Sequence, residues 1–516
     1  MYRDRDFDLN WYQPPNSAEL TQDLALDTLF GAMAAGDEFL LDVAKKAVLA
    51  SLLEPEAILY RRHVLGDCLV QSGIVREMYG IAVEAVECER KLWGWSKEYP
   101  SGVLHRSVEA LQLFVGLLKR LRRTADEHGA EFCSEGFTRL LRMFVRELDD
   151  EYLGTVADHL RRLEFRNGIL MSAELGKGNK GTNYILRKPP DGNQTWIERL
   201  HGWLEQVTGR DGSSLVYEVA DRDEAGFQAL SELRNRGIGH VAIALVQATD
   251  HILSFFSMLR LELGFYVGCL NLRDRLARKG EPICFPEPLA VGKAMFSCRG
   301  LYDVCLSLSM DDRVVGNDVS GDDRVLVMIT GANRGGKSTL LRSIGLAQLM
   351  MQCGMFVAAE SLRANVCNGI FTHFKREEDT SMRSGKLDEE LSRMSSMVDN
   401  MKPHSIVVLN ESFASTNERE GSEIARQIVR AMLETGVKVF YVTHMFDLAR
   451  GFYLAKMDGA LFLRAQRLAD GRRTFRLVEG EPLPTSYGED LYGRIFGAVR
   501  DAAPPAPPAG VKPGRR

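Results

Sequence analysis

The segment that most constrains this chain is Gly331-Ala-Asn-Arg-Gly-Gly-Lys-Ser-Thr339, a Gly-x4-Gly-Lys-Ser loop. An apolar run from Val325 to Ile329 precedes it, and a helix-like stretch from Leu340 to Met351 follows. The context predicts strand, loop and helix in that order. A phosphate held by such a loop needs main-chain N–H groups that converge without Cβ atoms in the way, which the glycines allow. It also needs the positive end of a helix, which the next segment offers. The loop from Gly331 through Gly335 and Gly336 to Thr339 is therefore expected to bind a nucleotide. Lys337 is expected to reach the β- and γ-phosphates, and Ser338 to offer its hydroxyl to Mg²⁺.

A second apolar run, Ile406 to Leu409, reads as a buried strand ending in Asn410-Glu411. This is where the acidic pair of a Walker B motif would stand. Asn410 replaces the first acid; it keeps an acceptor oxygen for the metal but lacks the charge. Glu411 remains able to polarise an attacking water. A third strand, Val437 to Val442, ends in Thr443-His444, which predicts an imidazole beside the γ-phosphate. Glu411 and His444 are thus the expected catalytic residues, with Ser338 and Asn410 as the metal site.

The rest of the 516 residues reads as a mainly helical region with a small β insertion, followed by an α/β domain. Residues 1–165 show helical spacing, as in Val108, Leu111, Val115, Leu118 and Leu121. The basic cluster of Lys119, Arg120, Arg122 and Arg123 reads as a solvated face suited to a helix end. Residues 166–220 switch to β-like runs at Ile169–Leu175, Tyr184–Arg187 and Leu215–Val219, with a Gly-Lys turn whose Lys177, Lys180, Arg187 and Lys188 could face phosphates. Residues 221–285 hold one long helix, with Leu245, Ala248, Ile252, Phe256, Leu259, Leu263, Tyr266 and Leu270 on one face. Residues 286–500 alternate strands and helices. Residues 501–516 carry five of the 17 prolines and read as a disordered tail.

With 45% apolar residues and a formal charge of −5, the composition excludes a wholly disordered chain and a global polycation. Any nucleic-acid contact must come from local patches. The nine cysteines are scattered without a Cys-x-x-Cys pair, as expected of reduced thiols. The charged N-terminus and the lack of an apolar run approaching the length that spans a bilayer predict a cytoplasmic protein with no membrane partner.

Residues 286–500 resemble the ATPase domain of the MutS-type mismatch-repair family, a branch of the ABC-type P-loop ATPases. The resemblance rests on Val315-Gly-Asn-Asp318, the phosphate loop, Ile370-Phe-Thr372, Asn410 to Gly421, Thr443-His444 and Ser486-Tyr-Gly488, all in the family's order. Residues 18–285 are similar in layout to the family's core, lever and clamp. The resemblance implies ATP and Mg²⁺ as ligands and a homodimer through the ATPase domain. It implies that Asn333 contacts phosphate and that Ser415-Thr416-Asn417 lies at the dimer interface. DNA, held by its backbone, and a repair protein are the implied partners.

The chain departs from the pattern in three places. Ser384 to Glu390 stands where the family has a serine-rich signature, and Asn410 where it has an acid. The family's mismatch reader, with its Phe-x-Glu motif, has no counterpart before the helices, which predicts a short member without that domain. The tripeptide Phe285-Pro-Glu287 falls at the domain boundary, out of the family's order. Two other readings remain: a nucleotide-gated clamp or scaffold on proteins with little hydrolysis, and an ATPase driving a membrane partner. Against the second stands the absence of a Leu-Ser-Gly-Gly-Gln signature.

Overall fold

The computed structural model describes residues 2–10, 13–93, 99–165, 169–177, 181–187, 224–376, 385–468 and 471–484. The predicted strand Leu215–Val219, Lys180, Lys188, the Ser486-Tyr-Gly488 motif and the tail at 501–516 lie outside these residues. The chain divides into two compact units: residues 73–133 with 137–261, and residues 1–72 with 134–136 and 262–516.

The first of these units is helical with a small β element. Its helix Pro100–His128 starts on a proline, whose missing N–H costs nothing at a helix N-terminus, and buries Val108, Leu111, Val115, Leu118 and Leu121 along one stripe. Phe114 packs on Phe256, and Phe144 packs edge-on against Phe255. Within the basic cluster, Arg120 pairs with Glu84 at 2.6 Å, and Arg122 pairs with Asp126 at 2.8 Å. Strand β1 (Met171–Leu175) pairs antiparallel with β2 (Gly181–Leu186), which forms the hairpin.

The long helix runs Glu224–Arg278, 55 residues. Its predicted stripe is buried at Phe256, Leu259, Leu263, Tyr266 and Leu270, but Leu245 and Ile252 are only partly covered and Ala248 is exposed. From Leu263 to Leu270 every residue is buried. Part of this helix, Ser231–Arg278, is long and apolar enough to cross a membrane by length and composition. It qualifies on its mean hydropathy and not as an unbroken apolar run, which the sequence lacks at that length. Polar residues break the run, among them Gln247 and the contiguous Thr249-Asp250-His251.

The second unit is α/β. Its strands are β3 (Glu287–Leu289), β4 (Phe296–Leu301), β5 (Asn317–Ser320), β6 (Leu326–Gly331), β7 (Ser361–Asn365), β8 (Ile370–Phe374), β9 (Ile406–Asn410), β10 (Lys438–Val442), β11 (Ala460–Arg467) and β12 (Arg473–Glu479). The large sheet has the order β12-β11-β6-β10-β9-β8. All of its neighbours are parallel except the edge pair β11 and β12. A smaller sheet has the order β3-β7-β4-β5. Strands β6, β9 and β10 are mostly apolar and almost wholly buried, as strands covered on both faces must be, with Lys438 at the start of β10 the charged exception. Between them and the helices Lys386–Asp399, Glu418–Glu434 and Phe446–Leu454 lies a core that includes Met328, Phe371, Leu409, Phe413, Val439 and Leu448.

The N-terminal helices Ser17–Asp23, Leu26–Ala34, Glu38–Leu49 and Pro55–Val70 belong to this unit. Gln352, at the end of the helix Lys337–Gln352, exchanges backbone and side-chain hydrogen bonds with Leu52, and Asn16 Nδ2 donates to Ile370 O at 2.7 Å. Packing is close enough that a Cβ on Gly345 would meet Leu24 at 2.8 Å.

Candidate functional site

The loop after β6 owes its shape to its glycines. Gly331 has φ +106° and Gly336, the residue before the helix Lys337–Gln352, has φ +89°. L side chains rarely adopt either value. A Cβ on Gly335 would fall 2.6 Å from Ala465 Cβ and 2.9 Å from Ala332 O, so this loop lies flat against β11 with no room for a side chain. Asn333 and Ser338 are exposed, and Thr339 is half-buried. The helix that follows is buried along most of its length, which holds its N-terminal turn fixed at the sheet edge.

Lys337 is 5% exposed. Its Nζ donates to Gly331 O at 3.1 Å and Ala332 O at 3.0 Å, two carbonyls of the loop itself. Burial pulls its pKa down to about 8, against the opposing pull of the Glu411 carboxylate. The lysine is thus tethered inside the loop, and an anion placed there would restore its charge.

The ends of the neighbouring parallel strands meet this loop. Val442 stands opposite both Asn410 and Ile329 in register, so the ends of β6, β9 and β10 share one edge. Ser338 Oγ donates to Asn410 Oδ1 at 3.0 Å, across 72 residues of sequence. Glu411 follows with φ +55°, its N–H bonded to Val442 O. Its carboxylate lies 3.0 Å from His444 Nε2. The hydrogen bond from His444 holds the Glu411 pKa below its usual range, and the charges of Lys337 and Lys375 act in the same sense. The structure therefore gathers Gly331, Gly335, Gly336, Lys337, Ser338, Asn410, Glu411 and His444 at one sheet edge, with Asn333 on the exposed side of the loop.

Sequence reasoning missed a buried network behind Glu411. His373 of β8 has Nε2 3.1 Å from Glu390 O, a carbonyl that only accepts, so this nitrogen carries the proton. The Ser412 hydroxyl donates to His373 O at 2.7 Å and lies 2.8 Å from Nδ1 of the same histidine. Burial drives the His373 pKa down to about 4, which keeps the ring neutral. Tyr441 OH donates to Ser412 O at 2.6 Å. These bonds pin the turn at 411–413, where Phe413 also has a left-handed φ of +64°. The one signal in the sequence was His373 itself, which continues the run Ile370-Phe-Thr372.

The stretch at 415–417 is engaged within the chain. Ser415 Oγ donates to Glu390 Oε1 at 2.9 Å, Thr416 Oγ1 to Glu420 Oε2 at 2.8 Å, and Asn417 caps the helix Glu418–Glu434. A Cβ on Gly421 would meet Phe413 O at 2.4 Å, so this helix packs directly on the turn. Ser384 lies outside the described residues.

Among the described residues no group of three or more His, Cys, Asp or Glu could hold a metal ion. The oxygens of Ser338 and Asn410 do suit Mg²⁺, a hard cation that keeps several waters and takes its remaining ligands from phosphates. Both donors are neutral, so the charge to balance the ion would come from the nucleotide and from Glu411.

Comparison with known proteins matches residues 54–279 to the MutS2 N-terminal domain and residues 327–490 to MutS domain V. The second match corresponds to the α/β region described above. One relative, "Endonuclease MutS2" of Lactiplantibacillus plantarum, is 35% identical over 143 residues, 27% of this chain and 18% of its own. The protein of the same name from Lacticaseibacillus paracasei is 30% identical over 272 residues, 49% of this chain and 33% of its own. "DNA mismatch repair protein MutS" of Desulfosudis oleivorans is 30% identical over 203 residues, 36% of this chain and 23% of its own. The chain thus spans a third or less of the length of these relatives. Together, the two domain matches and these relatives point to the MutS2/MutS superfamily.

Proposed function

We propose that this protein binds ATP with Mg²⁺ at the edge formed by β6, β9 and β10 and hydrolyses it as a DNA-associated homodimer in the cytoplasm. The observation that carries the reading is the convergence of the glycine loop, the Ser338–Asn410 bond and the Glu411–His444 pair at one sheet edge. The loop amides and Lys337 would hold the phosphates, with Asn333 at the exposed rim. Ser338 and Asn410 would hold Mg²⁺, which when bound supplies charge neutralisation to the phosphate oxygens. Glu411, kept ionised by His444, would accept a proton from the attacking water. The backbone turn locked by His373 and Ser412 keeps that carboxylate in place.

The experiment is a turnover assay with Glu411→Ala. Hydrolysis should fall by about 10²- to 10⁴-fold, the usual contribution of a positioned general base, while ATP binding survives. If wild-type turnover is no greater than that of the variant, the protein is instead a nucleotide-gated clamp on protein partners. Asn410 favours that second reading, because an amide at this position lacks the charge that would anchor the metal.

Contact with DNA is assigned to backbone phosphates. Lys177 and Arg187, at the ends of the β1–β2 hairpin, are exposed. The Phe-x-Glu tripeptide belongs to the α/β unit, where Arg62 Nη1 donates to Pro286 O and Glu287 pairs with Arg363, and this reading gives it no part in base recognition. Phosphate-directed binding predicts an affinity that falls steeply with salt, and a filter-binding titration with a flat salt dependence would contradict it. A repair protein as further partner, and the dimer that completes each ATP site, belong to this same reading.

A further inference from the structure

The opposite end of the same strands encloses a cavity of about 370 Å³, within the range of small-molecule sites. Its mouth is exposed and carries Val291, Lys293, Asp323, Val325 and His404. Its floor is buried and is formed by Val366, Cys367, Ser405, Ile406 and Lys438, so its one charged residue is Lys438, at 8% exposure. The Lys438 ammonium has one hydrogen bond, to Gly321 O at 3.3 Å, and lies 5.6 and 5.5 Å from the ring centres of Phe296 and Phe440. Among the described residues no carboxylate pairs with it. Asp322 attracts it from farther away but spends Oδ1 on Phe296 N. Burial pulls the Lys438 pKa down to about 7.

Two other polar groups of the floor differ in what they have left to give. The Cys367 thiol already bonds to Gln352 Oε1 at 2.9 Å. Ser405 Oγ accepts from Lys402 N at 3.4 Å, and its own proton has no acceptor among the described residues. Ser405 immediately precedes β9 and Lys438 begins the adjacent β10, Lys438 N donating to Ser405 O at 2.9 Å. The floor thus combines an incompletely paired cation and an uncommitted hydroxyl proton with aliphatic walls. A buried cation with one carbonyl partner is costly, and an anion that arrives with its own apolar body removes that cost without adding exposed charge.

We propose that this cavity binds a small monocarboxylate with an apolar body, its carboxylate taken by Lys438 and Ser405. The site lies a full strand length from the glycine loop and does not rest on nucleotide binding there.

The test is calorimetry on the whole protein with hexanoate and with benzoate at millimolar concentration, against hexanamide and benzamide as neutral analogues and inorganic phosphate as a bare anion. Saturable binding of an acid is expected, with the matching amide weaker by about tenfold or more. Lys438→Met should abolish it, and Lys337→Met should leave it intact, which separates this site from the nucleotide reading. The facing charges are Lys293, Asp323, His404 and the nearby Asp322. With these unchanged in the wild type, binding near pH 8 should take up a proton as Lys438 is recharged, and binding near pH 6 should not. The proposal is overturned if neither acid binds saturably, if the amides or phosphate bind as well as the acids, if Lys438→Met retains affinity, or if no proton is taken up by the wild type.

Discussion

Lys337 and Lys438 are buried at opposite ends of the same parallel strands, and their surroundings differ in kind. Lys337 stands at the finishing ends, wrapped by two carbonyls of a loop that glycines have brought in, with the Glu411 carboxylate near by. Lys438 stands at the starting ends, between aromatic rings, with one long bond to a carbonyl. Burial lowers both pKa values, to about 8 for Lys337 and about 7 for Lys438. The difference teaches that burial alone does not define a ligand site. At the finishing ends, loops leave the sheet and bring polar groups from β6, β9 and β10 together, whereas at the starting ends one cation is left with little beyond packing.

The largest effect that separates the two ends is on stability against pH. Each lysine has a folded pKa below the ordinary unfolded value of about 10.4. Between the two values the unfolded chain holds the proton and the folded chain does not, so stability rises with pH across that window. Below the folded pKa the full cost of burying the charge is present. Lys438→Met should therefore be more stable than wild type near pH 6, by a few kcal/mol at about 1.4 kcal/mol per pKa unit, with the advantage gone by about pH 10. Lys337→Met should show a smaller advantage, full below about pH 8 and fading over the narrower window from there to about pH 10. Urea denaturation across this pH range checks both, and equal slopes for all three proteins would break the comparison.

A smaller effect tests the finishing ends by themselves. Asn410→Asp places a charge beside Ser338, where now there is an amide oxygen. Hydrolysis should rise, and the Mg²⁺ concentration for half-maximal rate should drop, by roughly tenfold, the scale on which ligand changes act at metal sites. Steady-state rates against Mg²⁺ measure this. No change in either quantity would mean that another carboxylate already balances the ion.

The parts of the site that were legible in the sequence are those whose signal is local. The Gly331–Thr339 spacing, the apolar runs of β6, β9 and β10, and the polar residues at their ends could each be read within a dozen residues. The 55-residue helix Glu224–Arg278 was visible as a periodic stripe, but its extent of burial was not, since Ala248 is exposed while all of Leu263–Leu270 is buried. The His373–Ser412 network was not legible either. Its partners lie 39 residues apart, and neither one belongs to a spacing that chemistry demands. Nor did the pattern before residue 72 show that those helices pack with the α/β unit rather than with the helices that follow.

The sequence by itself determined a phosphate loop of fixed backbone shape, because glycine content and chain geometry act between near neighbours. It also determined which strands are buried on both faces, since an apolar run has nowhere else to go. Only the tertiary structure decided that β10 lies between β6 and β9. That order brings Ser338 to Asn410 and Glu411 to His444, and it leaves Lys438 enclosed at the far end. The physical reason is that strand order is selected by the packing of whole faces summed over distant segments, which no single stretch of the chain encodes.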